Sequence, residues 1–312
     1  MLIVRADATQ LDPLFLFQAI RSPGFQKSIK SFASGSAQPQ IPIRDLKHIP
    51  FSAPPFPTQR RIASILSAYD NLIENNTRRI AILEEMARRL YEEWFIHFRF
   101  PGWEKARKDR KLPSGWEERR LGDLVDDIRD TVHPSCVPAE TSYVGLEHIP
   151  RRSITLGEWS TASTVDSNKL RFRRGDILFG KIRPYFHKVS VAPIEGICSS
   201  DTILMRPKLQ RFFALALCCS SSDKFIDHAT QTSNGTKMPR ANWKVLKDYP
   251  VLLPDEDLLS SFNGFVERNV EQTRCLMLKN ANLRTQRDLL LPKLVSGEID
   301  VSDIPAPGEV AA

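Results

Sequence analysis

No stretch of the chain approaches the roughly 20 consecutive apolar residues that span a bilayer. Its opening, MLIVRADATQ, lacks the basic n-region and long apolar core of a secretory signal. A cytoplasmic protein with no membrane partner is the expectation. The five cysteines, Cys136, Cys198, Cys218, Cys219 and Cys275, form no C-x-x-C pair and have no histidine at zinc-ligand spacing. They are expected to be reduced, buried thiols. There is no Walker A loop, and no glycine-rich loop after a strand to hold a nucleotide cofactor. The six histidines, His48, His97, His133, His148, His187 and His228, are scattered with no nucleophile beside them.

What remains is a 312-residue chain, 41% apolar and 26% charged, with material for about two domains. Its net charge of +7 is unevenly spread. Residues 1–56 carry +3, 57–98 are neutral, 99–112 carry +4, 113–254 carry +4 and 255–312 carry −4. Alternating basic and non-basic segments favour discrete basic modules, with a polyanion such as nucleic acid as the candidate partner.

A repeat lies at a spacing of 200. Residues 22–54 match 222–254 without a gap at eight of 33 positions: Ser22/Ser222, Phe25/Phe225, Gly35/Gly235, Pro39/Pro239, Leu46/Leu246, Lys47/Lys247, Pro50/Pro250 and Pro54/Pro254. Unrelated segments of ordinary composition would share roughly two. A long helical pattern follows each copy. In the first, 57–98, apolar residues keep a seven-residue period: Ile62, Tyr69, Leu83 and Leu90 form one row, Leu66, Ile73, Ile80, Ala87 and Trp94 the other. Only Asn76 interrupts the first row. About 40 helical residues make a rod of roughly 60 Å. The second, 255–296, places Phe262, Leu276, Leu283 and Leu290 at the same offset, and Asn269, Thr273, Asn280 and Arg287 interrupt its seam. Two long, narrow-faced helices bury themselves most economically as an antiparallel coiled coil; packing on separate domains or on another subunit is the alternative.

Pro101, Gly102, Pro113 and Gly115 punctuate the basic connector 99–112 and its end. Residues 113–254 then read as mixed strand and turn, with runs such as SYVGLEHI, DILFGKI and CSSDTILMRP and one apolar helix-like segment, RFFALALCCSSSDKFIDHA. The fold class expected is α/β (α+β): a complete mixed domain at 113–254, a partial second copy at 1–56, the two helices, and a tail at 297–312.

The order of IPFSAPPFPTQRRIASILSAYDNLIENNTRRIAILEEMARRLYEEWF, LPSGWEERRLGDL, GDILFGKIRPYFHK, GICSSDTILMRP, NGTKMPRANWKVLKDYPVLLP and LLLPKLVSGEI resembles the specificity (S) subunit of type I restriction-modification systems. The resemblance implies two target-recognition domains alternating with two long helices that pair antiparallel, each domain reading half of a bipartite site in double-stranded DNA. It also implies docking to methyltransferase (M) subunits and a restriction (R) subunit. No cofactor is expected on this chain; S-adenosylmethionine, ATP and magnesium belong to those partners. One departure stands out. LIVRA at 2–6 falls within one residue of the register of ILMRP at 203–207, so the first domain lacks a counterpart of residues 113 to about 200. A truncated gene, a separate chain that supplies the missing part, and a misassigned start each account for this.

DNA affinity requires cations for phosphates, and reading requires donors and acceptors at base edges. Residues 169–188 offer Lys169, Arg171, Arg173, Arg174, Lys181, Arg183 and Lys188 with Tyr185 and three phenylalanines interleaved. Arg183, Tyr185 and Lys188 are the first candidates for contact; Asp176 suits a turn. The alternative is a strand pair whose cations are merely solvated. In the second copy Asn234, Lys237, Arg240 and Asn242 cluster beside Gly235, where the first copy has Gln38 and Gln40. Two scaffolds with different polar tips suit two different half-sites, although an Asn/Gly turn that starts a helix explains the same residues.

No catalytic constellation competes with this reading. Ala53-Pro54-Pro55-Phe56 resembles the N-P-P-F loop of amino-methyltransferases but has Ala where the target amine would be held. Asp255, Glu256 and Asp257 complete no nuclease metal pattern and suit a helix N-terminus. A non-catalytic recognition subunit is the expectation. A coiled-coil scaffold with non-specific DNA binding and a truncated, non-functional fragment are the alternatives.

Overall fold

The computed structural model describes residues 4–32, 41–42, 49, 52–104, 108–109 and 112–304. Two compact units form, residues 1–77 with 279–312 and residues 78–278. Both long helices, Phe56–Tyr91 and Glu256–Ser296, run from one unit into the other.

In the larger unit, four strands lie in the order Val189–Val191, Ile177–Gly180, Thr202–Pro207, Val125–Asp127, all antiparallel. Side chains alternate across a strand. Ile177, Phe179, Ile203 and Met205 enter a core shared with helices, while Leu178 and Leu204 enter a second core with Val144, Leu170 and Phe172. Burial on both faces explains why these strands read as continuous apolar runs. The second core is roofed by a five-stranded sheet ordered Thr131–Val132, Lys169–Phe172, Gly196–Ser199, Ser142–Val144, Ser160–Thr161. One of its pairings, Gly196–Ser199 with Ser142–Val144, is parallel. With antiparallel pairing predominant and the helices in separate layers, the unit is α+β. Pro250–Leu253 pairs with Glu117–Arg120 and ties the end of the domain to its start.

The apolar segment expected as one helix forms two, Phe213–Ser220 and Asp223–Gln231. The Ser222 hydroxyl accepts the Phe225 amide and caps the second, stopping the first one residue earlier. Within this unit the long helices pass in opposite senses. Asn269 Nδ2 donates to the Leu83 carbonyl at 3.3 Å, whereas Tyr91, Trp94 and Phe95 pack on Phe262. The first helix ends in a π-helical turn, Glu92–Ile96. Its extra residue lets neighbouring Trp94 and Phe95 both face inward, where Phe95 also meets Trp116 at 5.4 Å. These two aromatics help close the core.

The smaller unit repeats the theme at an offset of 200. Helices Pro13–Arg21 and Pro23–Ser31 break at Ser22, whose hydroxyl accepts the Phe25 amide as Ser222 does for Phe225. Phe15 and Ala19 join Ile62, Ala63, Leu66, Leu291, Leu294 and Val301 in one core. Here too the long helices run in opposite senses, because Asp70 pairs with Arg287 and Asn76 with Asn280. Residues 4–7, which lie 200 residues before 204–207 of the strand Thr202–Pro207, form no strand.

Cys198, Cys218 and Cys219 are buried, and burial pushes the Cys198 and Cys219 thiols up to about 12. Cys136 and Cys275 are exposed, contrary to expectation.

Candidate nucleic-acid interface

The candidate residues of 169–188 do not share one surface. On the strand Lys169–Phe172, Leu170 and Phe172 face the core between the sheets. Lys169 and Arg171 take the other face. Arg171 is exposed, but Lys169 is only 6% exposed, and its ammonium donates to the Ser167 carbonyl and hydroxyl, both at 2.7 Å. With its ammonium bonded locally, Lys169 does not present the free surface cation expected of it.

Arg173 and Arg174 border a cavity of about 540 Å³ beside the second long helix. Arg174 reaches Glu271 at 2.8 Å, and Arg274 reaches the same carboxylate at 2.6 Å. Hydrogen bonds from Arg274 and then Arg174 bring the Glu271 carboxyl down to about 2. Arg174 therefore seats the sheet on the helix. Asp176 accepts the Arg173 amide and a two-pronged bond from Arg206, both prongs at 2.7 Å, which is the turn role expected of it. Gly175, just before the strand Ile177–Gly180, has φ +88, a conformation that favours glycine, and a Cβ at Gly180 would lie 3.0 Å from the Lys188 Cβ, a close approach.

The rest of the segment meets the second cluster. Ala241 N donates to the Lys181 carbonyl at 2.9 Å, Ile182 bridges to Arg240, and Arg183 N donates to the Pro239 carbonyl at 2.7 Å. Asn234 and Arg240 exchange backbone hydrogen bonds. Stretches some fifty residues apart are thus sewn into one tip presenting Lys181, Arg183, Tyr185, Asn234, Lys237 and Arg240. Lys237 and Asn234 are exposed, and Arg240 stands 3.8 Å from Asp201. Asn242 belongs to the scaffold, because its side chain accepts the Lys244 amide at 3.0 Å and caps the turn Trp243–Leu246. Lys188 is also a buttress. Its ammonium donates to the Leu146 carbonyl, and burial, with Arg151 nearby, lowers it from its ordinary value. Gln38 and Gln40 lie outside the described residues.

Sequence reading missed two cations, the Arg151-Arg152 pair after Pro150. The Arg151 guanidinium lies 4.1 Å from the Phe186 ring centroid, and Arg152 pairs with Asp223 at 3.0 Å. His187 hydrogen-bonds the Ser221 carbonyl at 2.8 Å through Nε2, and burial holds its imidazole below the usual value. Among the described residues no group of three or more acidic, histidine or cysteine side chains is placed to hold a metal.

Residues 4–85 match the family model described as the type I restriction modification DNA specificity domain. The chain is similar in sequence to type I specificity subunits. The type I restriction enzyme MjaIX specificity subunit of Methanocaldococcus jannaschii is 24% identical over 93% of this chain and 70% of its own length. The EcoDI specificity subunit of Escherichia coli is 25% identical, over 77% of this chain but only 59% of its own length. A crystal structure of a type I S subunit from M. genitalium superposes with a TM-score of 0.54 at 18% identity, covering 92% of this chain and 74% of the other. That likeness concerns the fold alone.

Proposed function

We propose that the chain is the non-catalytic DNA-recognition subunit of a type I restriction-modification complex, reading one half-site through residues 113–254. The observation that carries this is the joining of residues 181–186 to 234–241 in a single cationic, amide-bearing and aromatic tip on a rigid two-sheet body. Cations there neutralise phosphate, and Asn234, Lys237 and Arg240 present donors suited to base edges. The long helices, paired as an antiparallel coiled coil, would dock the M subunits. Leu72, Ile82, Met86, Leu278 and Leu289 along them carry exposed apolar side chains. S-adenosylmethionine, ATP and magnesium would act on the M and R subunits.

Selection from a random duplex library, followed by sequencing of the bound molecules, tests recognition. An enriched half-site is the expected result; an unenriched pool that still binds in low salt would establish the non-specific scaffold instead.

A second reading concerns the smaller unit. Leu14 and Phe17 are 55% and 54% exposed, whereas Ala214 and Leu217, 200 residues on, are fully buried beneath the sheets. A sheet body like that of residues 117–207 would cover this face and complete a first recognition domain.

A further inference from the structure

The turn between the strands Ile177–Gly180 and Val189–Val191 is held in a conformation that L-residues avoid. Arg183 (φ 50) and His187 (φ 53) are both left-handed and bracket the single turn Pro184–Phe186. Arg152 (φ 56), whose amide donates to the His187 carbonyl at 2.9 Å, is left-handed as well. Such residues are costly and persist where the surroundings over-determine them. Here the Pro239 carbonyl, the Ser221 carbonyl and the Arg152 amide pin the turn from three segments. What the pinned turn presents is an aromatic. Tyr185 is 50% exposed and packs edge-on against Phe186 at 4.9 Å, with the guanidinium groups of Arg151 and Arg183 at 4.1 and 5.9 Å from the Phe186 ring. The Arg183 Nε is buried without a hydrogen-bond partner. What the cluster exposes most is a π-face flanked by cations: Tyr185 is half exposed, while the Arg151 and Arg183 guanidinium groups lie over the Phe186 ring.

We propose that Tyr185 is a sequence-tolerant anchor, its ring stacking on a base or wedging a base step while Arg151 and Arg183 hold the adjacent phosphates, and that selectivity resides in the neighbouring 234–240 loop. This deepens the DNA-recognition reading and rests on it. Every base has a π-face, so such a contact adds affinity without adding preference.

The test uses the full chain, the enriched duplex from the library selection and a scrambled duplex, with 2-aminopurine placed at each position in turn. Tyr185→Ala is expected to weaken binding about tenfold on both duplexes, to leave the salt slope unchanged because no phosphate contact is lost, to leave the enriched motif unchanged, and to abolish a 2-aminopurine response that Tyr185→Phe retains. Wild-type affinity in Tyr185→Ala, a loss confined to the enriched duplex, or a loss accompanied by a lower salt slope or melting temperature would each overturn the anchor. A wild-type chain that binds neither duplex overturns the recognition reading, and the anchor with it, before any variant is made.

Discussion

Side chains that look alike in sequence separate by what their charged ends touch. Arg183 and Lys188 lie five residues apart in one basic run, yet the first borders the tip and the second is tied to the Leu146 carbonyl. Arg183→Ala is expected to weaken DNA binding and reduce the salt slope by about one phosphate equivalent. Lys188→Ala should leave the slope alone and lower the melting temperature. Anisotropy titrations across salt concentrations, with thermal melts, separate the two; a reduced slope in Lys188→Ala would return that residue to the interface. Asp70 supplies an acid-sensitive contact. Burial alone would raise its carboxyl, but hydrogen bonds from Gln18 and Arg287, with Arg21 and Arg287 as charges, hold it below its ordinary value. A depressed carboxyl takes up its proton less readily folded than unfolded. Its stabilisation is therefore complete above the ordinary carboxylate range near pH 4 and is lost as pH falls through the lowered folded value. Urea melts from pH 6 to 2.5 should show this acid limb shrink in Asp70→Asn; an identical limb would exclude Asp70 as a source.

At the level of elements, three of the four interruptions in the second helical seam are polar contacts with the first helix, while the Thr273 hydroxyl donates to the Val270 carbonyl of its own helix. Asn280 Oδ1 accepts from Asn76 Nδ2 at 2.9 Å, and Asn280 Nδ2 donates to the Ile73 carbonyl and the Thr77 hydroxyl, while Arg287 meets Asp70 at 2.6 Å and Asn269 meets the Leu83 carbonyl. A buried amide pair is satisfied only in one alignment, so it selects register at some cost in stability. Asn280→Ala should cost about 1–3 kcal/mol by leaving Asn76 and the neighbouring acceptors short of partners. Replacing Asn76 and Asn280 together with leucine should recover most of that loss in urea unfolding. A double variant as unstable as the single would show that packing, and not polar satisfaction, sets the cost. The seven-residue period was readable because seam residues recur locally; the function of its exceptions was not, since each partner lies about 200 residues away.

For the whole molecule, the exposed Leu14 and Phe17 predict self-association. Light scattering of the purified chain should show concentration-dependent oligomers that Leu14→Lys with Phe17→Lys reduces, whereas a monomer at high concentration would mean that this face needs no cover. The repeat at a spacing of 200, the two long helices and the mixed character of residues 113–254 were all legible from periodicity, punctuation and composition, which are local properties. The site was legible only in part. Spacing nominated Arg183, Tyr185, Asn234, Lys237 and Arg240 alongside Lys169, Arg174, Lys188 and Asn242, because exposure is not written in residue type. Folding separated them. The sheet buried Lys169, Glu271 captured Arg174, Leu146 held Lys188, a helical turn claimed the Asn242 side chain, and Arg151 arrived beside Phe186 from 35 residues upstream. The chain's periodicity determined which helices and strands exist, since that depends on neighbours within a few turns. Which polar groups remain free to meet a ligand was decided by tertiary structure, since a hydrogen bond consumed inside the fold is no longer available outside it.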